Sequence, residues 1–184
     1  NYALEKKISK KQIKRFDRQI NKINRANSII SVIEGGALGA LGIGLPDIPL
    51  FISLIMKNIY EIALSFGYSY DKREEKAYIL LLICAAMEEG KRQLKFNEQV
   101  DNLGKKIDKK EANEVDLEEL IRTTANILAE AMLTAKFIQG MPVVGLVGGV
   151  VNYRLIRKIG KYAKLKYKKR YLYKKARDII HKDL

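Results

Sequence analysis

Histidine and cysteine are almost missing from this chain, with one of each in 184 residues. A lone Cys84 forms no internal disulfide and gives no Cys-rich metal site. A lone His181, close to the C-terminal end, removes most histidine-based acid–base catalysis and most zinc centres. Trp is absent and Pro occurs three times. No Gly-x-Gly-x-x-Gly follows a strand pattern, and no Gly-x-x-x-x-Gly-Lys-Ser/Thr occurs, so the common phosphate-cradling loops are excluded. The first 25 residues are basic throughout and contain no apolar run, which excludes a signal peptide there. The chain opens at Asn1 rather than Met, and the expectation is that an N-terminal part of the full protein lies upstream. No cofactor and no metal are implied.

What is present is apolar surface and positive charge. Apolar residues make up 47% and charged residues 30%, which suits one folded domain over 1–184 with a sizeable core. Lys and Arg number 35 against 21 Asp and Glu, a net charge of +14. The excess sits at the two ends. Residues 1–25 hold nine basic and two acidic residues, and residues 152–184 hold thirteen and two, whereas the segment between them is mildly acidic. No acidic residue interrupts Asn152 to Arg177. Such a distribution points to arms that face a polyanion: anionic lipid, nucleic acid or an acidic partner protein.

Hydrophobic spacing predicts helices almost everywhere. Ile13, Phe16, Ile20, Ile23 and Ile30 recur at helical intervals with a basic opposite face, so residues 1–28 read as a basic amphipathic arm. Small residues then recur four apart at Gly36, Ala40 and Gly44, with Gly39 between them, in an apolar context that predicts a buried, closely packed helix. Pro46 stops it, and Asp47 is placed to cap the next helix. That helix runs from Leu50 to about Phe66 on a stripe of Phe51, Ile55, Ile59, Ile62 and Phe66, ending at Gly67. Asp71, with Glu74 three residues later, predicts a capped helix through Glu88. Its centre, Ala77 to Met87, is apolar all round and too short to span a bilayer, which makes it the central core helix; Cys84 within it reads as inert packing. Residues 89–115 read as a long polar connection with at most a short helix around Lys91–Leu103. Asp116 and Glu119 open another helix that stops near Gly140. After Pro142 a second Gly-rich apolar element, with Gly145 and Gly149 four apart, runs directly into a basic, Tyr-rich helix reaching about Ile180. The expected fold is therefore all-α, a single helical domain of five or six helices, with the two Gly-rich helices packed closely and a long basic C-terminal helix.

The runs IEGGALGALGIGLPDIPLFISLIMKNIYEIALSFGYSYD, AYILLLICAA and AKFIQGMPVVGLVGGVVNYRLIRKIGKYAK occur in this order. In combination they resemble the bacterial EcsC protein family, over residues of about 30–90 and 125–165. The family takes its name from the third gene of an operon that also encodes an ABC transporter. The resemblance implies a bacterial origin and a membrane-proximal context ancillary to transport or secretion, and it implies no reaction.

Candidate functional residues follow from charge and burial. The basic helix offers Arg154, Arg157, Lys158, Lys161, Lys164, Lys166, Lys168, Lys169, Arg170, Lys174, Lys175 and Arg177 as membrane- or polyanion-binding cations. Tyr153, Tyr162, Tyr167, Tyr171 and Tyr173 suit a membrane interface. The carboxylates in apolar surroundings are Glu34, Asp47 and Glu61. Asp47 reads as a helix cap, Glu61 as an i, i+4 partner of Lys57, and Glu34 as a partner for Arg154 if the Gly-rich helices pack together. Residues 35–56 and 137–153 are apolar enough to be weighed as membrane-entering segments, although Pro46 and Pro49 would break the first and the second is short. The leading expectation is a non-enzymatic protein, peripheral to the cytoplasmic face of the membrane, that binds an anionic membrane surface or a membrane protein through the basic helix. Nucleic-acid binding through the same helix ranks second, with Tyr stacking on unpaired bases. An enzyme using Asp47 or Glu61 ranks third.

Overall fold

The computed structural model describes residues 10–27, 29, 48–111, 114–138 and 146–180. Among them the chain forms six helices and no strand: α1 over residues 10–27, α2 Ile48–Ser65, α3 Arg73–Met87, α4 Gly90–Lys109, α5 Leu117–Ile138 and α6 Leu146–Ile180. The chain has the expected all-α architecture. Glu34, Gly36, Gly39, Ala40, Gly44, Asp47 and Gly145 lie outside the described residues, so the expected crossing of the Gly-rich helices does too. Of that set only Gly149 belongs to a described element, near the start of α6.

The apolar run at 77–87 does become the centre. Eleven of the fifteen residues of α3 are buried, and the helix packs against α4, α5 and α6. Ile79, Leu82 and Ile83 are almost wholly withdrawn from water, each contributing up to about 1.5–3 kcal/mol by area. Cys84 is buried here as inert packing, its Sγ 3.3 Å from Thr124 Oγ1 of α5, and burial pushes its thiol up. The cap of α3 differs from expectation. Lys72 occupies the N-cap without a side-chain bond, while Asp71 closes a small turn with Ser69 through Oδ2···Oγ at 3.1 Å. The capping at α5 is as read, since Asp116 Oδ1 accepts the Glu119 amide at 3.0 Å.

The connection expected at 89–115 is mostly helix. α4 covers 20 residues and leaves α3 after only Glu88 and Glu89. Phe96, Val100, Leu103 and Ile107, spaced four, three and four, give it one narrow apolar stripe, and that stripe packs on the core. Lys110 ends it in the left-handed region, φ 59°, where its amide and that of Glu111 return to Ile107 and Lys106.

α6 is one 35-residue helix. Its Ile156, Ile159, Ala163 and Tyr167 stripe is buried against α2 and α3. α1 lies antiparallel beside it: Phe16 meets the Tyr171 ring, Asp17 meets Lys164 and Lys168, and Asn24 lies against Gly160. At Gly160 of α6, side chains of α1 and α2 meet the helix backbone. A Cβ there would collide with the buried amides of Asn24 and Asn58, so only hydrogen fits.

Candidate functional site

The basic helix does not present its cations to one side. Arg170 points inward and is only 6% exposed. Its guanidinium forks onto Glu75 of α3, with Nη1 and Nη2 at 3.0 and 2.7 Å, and reaches Asp108 of α4 with Nη2 at 2.7 Å and Nε at 3.1 Å. The rings of Tyr68 and Tyr78 lie 4.2 and 4.5 Å from its Cζ. Such planar, bidentate, ring-stacked geometry is specific to Arg. Burial opposes the charge, but the hydrogen bonds that the guanidinium donates to Asp108 and Glu75 more than offset it and hold it above its ordinary range. Gly104 admits this arrangement, since a Cβ there would press on Tyr78 and on the Arg170 stem.

Four lysines of α6 are also tied down by carboxylates from neighbouring helices. Lys166, 4% exposed, and Lys169 share Asp101 at 2.7 and 2.8 Å. Lys164 and Lys168 share Asp17 of α1 at 3.0 and 2.9 Å. Burial alone would raise the pKa of each aspartate, but at both sites the paired lysines outweigh it, so Asp17 and Asp101 ionise below the usual aspartate value. Burial lowers the Lys166 ammonium against the pull of Asp101, whereas the bond to Asp101 raises Lys169.

The expectation that all twelve cations and five tyrosines face a polyanion is thereby corrected. Arg170 and Lys166 are core ion-pair members. Tyr167 is fully buried and packs on Tyr68 and Tyr78. Tyr171 sits in an aromatic cluster with Phe16 and Phe66. Tyr162 donates to Asn97 Oδ1 at 2.7 Å. The cause is geometric: a 35-residue helix crossing a domain must turn some of its side chains inward, and in this sequence several of those are Lys, Arg and Tyr. The partners Glu75, Asp101, Asp108 and Asp17 were not singled out by sequence reasoning. The available signal was the seven-residue spacing of Asp101 and Asp108 on α4, opposite a helix free of acid from Asn152 to Arg177.

The opposite face of α6 is built differently. Arg154, Arg157, Lys158, Lys161 and Lys175 are exposed. Among the described residues the one ion pair in this group is Lys158 to Glu89 at 3.7 Å, and both side chains are well solvated. Arg157 stays near Tyr153, with Nη1 3.1 Å from the phenol oxygen. Between these cations lie Leu165, 60% exposed, Leu172 and Ile179, each seven residues from the next and so on one line along the helix. Lys161 and Lys175 lie on a parallel line whose middle member, Lys168, is half-buried and turned to Asp17. At the C-terminal half, Lys174 and Arg177 sit on the side facing α4, with Tyr173 at the rim.

Glu61 is not the partner of Lys57. Its Oε2 accepts the Asn27 Nδ2 at 2.8 Å, and Asn27 also reaches Asn58 Oδ1 at 3.3 Å, so the carboxylate belongs to a polar seam between α1 and α2. Among the described residues no group of His, Cys, Asp and Glu is arranged to hold a metal. One described helix, α2, is long and apolar enough to cross a membrane by length and composition. Most of the two segments weighed from sequence as membrane-entering, 35–56 and 137–153, lies elsewhere, and much of each falls outside the described residues.

The chain matches the EcsC protein family over residues 3–172. It is similar to Protein EcsC of Bacillus subtilis (strain 168), with 25% identity over 138 residues, covering 73% of this chain and 55% of that protein. The chain thus spans about half the length of this curated relative. No solved structure matches it.

Proposed function

We propose that this chain, which belongs to the EcsC protein family, is a non-enzymatic protein that docks on an anionic membrane surface at the cytoplasmic face through the outer face of α6. The observation that supports this reading is one exposed face of α6 on which Arg154, Arg157, Lys161 and Lys175 flank a seven-residue row of Leu165, Leu172 and Ile179. Cations alone would suit any polyanion. Interleaved, solvent-exposed Leu and Ile suit a surface that is anionic at the headgroups and apolar just beneath. Each Lys or Arg near such a surface is worth roughly 1 kcal/mol. Four or five of them, with three aliphatic side chains half withdrawn from water at about 1 kcal/mol each, give micromolar-range attachment. Nucleic-acid binding loses support from the same geometry, because Tyr162, Tyr167 and Tyr171 are committed to internal packing and offer no stacking platform.

Co-sedimentation with vesicles tests the proposal. Phosphatidylglycerol vesicles are expected to bind the chain and phosphatidylcholine vesicles to leave it in solution. An Arg154→Glu/Lys161→Glu variant should lose binding to the anionic vesicles, and so should Leu165→Ser/Leu172→Ser. Loss on charge reversal with no effect of the serine variant would shift the reading to a purely electrostatic partner. Equal binding to both vesicle types, or to neither, removes it.

A further inference from the structure

A second basic feature lies on the other side of α6, in a cleft of about 370 Å³ between the C-terminal halves of α4 and α6. Its volume is that of a small-molecule site. At its base the Tyr78 ring edge and the Arg170 stem pack directly on Gly104, where no side chain intervenes. Seven cations line it, among them Lys105 and Lys109 from α4 and Lys174 and Arg177 from α6. The acids nearby are already engaged: Asp101 by Lys166 and Lys169, Asp108 and the deeper Glu75 by Arg170. Even with Glu75 counted, and Glu111, which pairs with Lys109 at 3.4 Å, cations exceed carboxylates by three. Within the cleft, Lys105 and Lys174 make no ion pair among the described residues, and Arg177 spends one N–H on the Asp108 carbonyl at 3.3 Å. Tyr173, 59% exposed, stands at the rim. Concave walls of low dielectric focus such a field on whatever enters.

We infer that this cleft binds a phosphate monoester that has an apolar or aromatic body, the dianion held by Lys105, Lys174 and Arg177 and the body resting on Tyr173. A three-charge excess is best met by a doubly charged group, and fixed ion pairs beneath it keep the cations from collapsing into the cleft. An exposed tyrosine at the rim gives a flat ligand a face to stack on. The site is separate from the outer face of α6, so it stands or falls independently of membrane docking. The phosphate monoester could belong to a soluble metabolite or to a lipid headgroup, and the chemistry recognised is the same.

Isothermal titration calorimetry with phenyl phosphate, inorganic phosphate and benzyl alcohol tests the site on the whole chain. Phenyl phosphate is expected to saturate near about 0.1 mM, with inorganic phosphate weaker and benzyl alcohol silent at about 10 mM. Lys105→Glu and Tyr173→Ala both alter exposed side chains, and an unchanged Tm establishes that they fold. Lys105→Glu should weaken phenyl phosphate about tenfold or more, as loss of one charge-assisted contact requires. Tyr173→Ala should weaken phenyl phosphate and leave inorganic phosphate as it was. Lys161→Glu on the outer face should change neither. Vesicles containing phosphatidic acid, compared with phosphatidylglycerol vesicles of equal charge, separate the sources. A preference for phosphatidic acid that Lys105→Glu abolishes identifies a lipid headgroup, and no preference identifies a soluble ligand. Absence of saturable binding by phenyl phosphate, or an equal loss in Lys161→Glu and Lys105→Glu, overturns the site.

Discussion

Arg170 is the residue whose replacement best separates the architecture described here from a simple basic tail. Arg170→Met keeps most of the aliphatic stem that Tyr68 and Tyr78 pack on, and deletes the guanidinium. Glu75, itself 4% exposed, is then left in the core with no cation, and Asp108 loses its partner as well. Removing one member of a buried pair costs about 3–5 kcal/mol, mostly the penalty of the abandoned charge. For a chain of this length roughly 2–4 °C is lost per kcal/mol, so Tm should fall by about 6–20 °C. Arg170→Lys should also be costly, because one ammonium cannot reproduce two forks. The companion variant is Glu75→Gln. Combined with Arg170→Met it should recover a large part of the loss, and urea unfolding of all four proteins should give a coupling of at least about 1 kcal/mol. A Tm within 2 °C of the parent (under about 1 kcal/mol), or a double variant no better than the single one, would refute the buried ion pair and return Arg170 to the solvent-facing set.

Three further outcomes follow from the packing and the charges. Gly160→Ala should destabilise the fold by about 1–3 kcal/mol in urea titration, because its methyl group falls on the Asn24 and Asn58 amides where α1, α2 and α6 meet. Asp17 ionises below its ordinary 3.8 in the folded chain, so the unfolded chain takes up that proton first and stability drops as the pH falls below about 4; Asp17→Asn should flatten this part of the urea midpoint against pH, and an unchanged slope would show that Asp17 does not couple α1 to α6. Cys84 is buried with a raised thiol pKa, so an aromatic disulfide reagent at pH 8 should label it no faster than the chain unfolds, and rapid labelling would contradict the packing of α3 on α5.

The fold was readable from the sequence where a helix buries a wide face. α2 and α3 announce themselves through Phe51, Ile55, Ile59 and the unbroken run at 77–87, since burial on that scale leaves little choice of period. α4 escaped because its whole apolar content facing the core is four side chains on one line, and the other positions are charged or polar apart from two glycines and the exposed Leu94. The helix is held as much by what Asp101 and Asp108 meet on α6 as by its own stripe. Long-range pairing of this kind has no local signature. The same reason limited the reading of the basic helix: its cations were visible, but which of them turn inward is decided by carboxylates 60 to 150 residues away, on α1, α3 and α4. The seven-residue row of Leu165, Leu172 and Ile179 was available from the sequence, yet it becomes meaningful only once the buried stripe of α6 is known to lie on the opposite side.

One helix can carry both a structural and a recognition charge set only if the two respond to different conditions. The inner set is matched residue by residue: Arg170 with Glu75 and Asp108, Lys166 and Lys169 with Asp101, Lys164 and Lys168 with Asp17. Its members are buried or half-buried at contact distance, where salt screens poorly. The outer set is solvated and, Lys158 aside, unmatched among the described residues, so its attraction to a surface is felt across water and fades as the Debye length shrinks to about 3 Å near 1 M salt. High salt should therefore detach the chain from an anionic surface while leaving its helices assembled, and the aliphatic row on α6 sets how much attachment survives. A basic helix without internal partners would have no such separation, because the charges that fold it and the charges that bind would be the same ones. The excess positive charge of this chain thus lies where the fold does not consume it: on the exposed cations of α1, on the outer face of α6 and along the cleft beside α4.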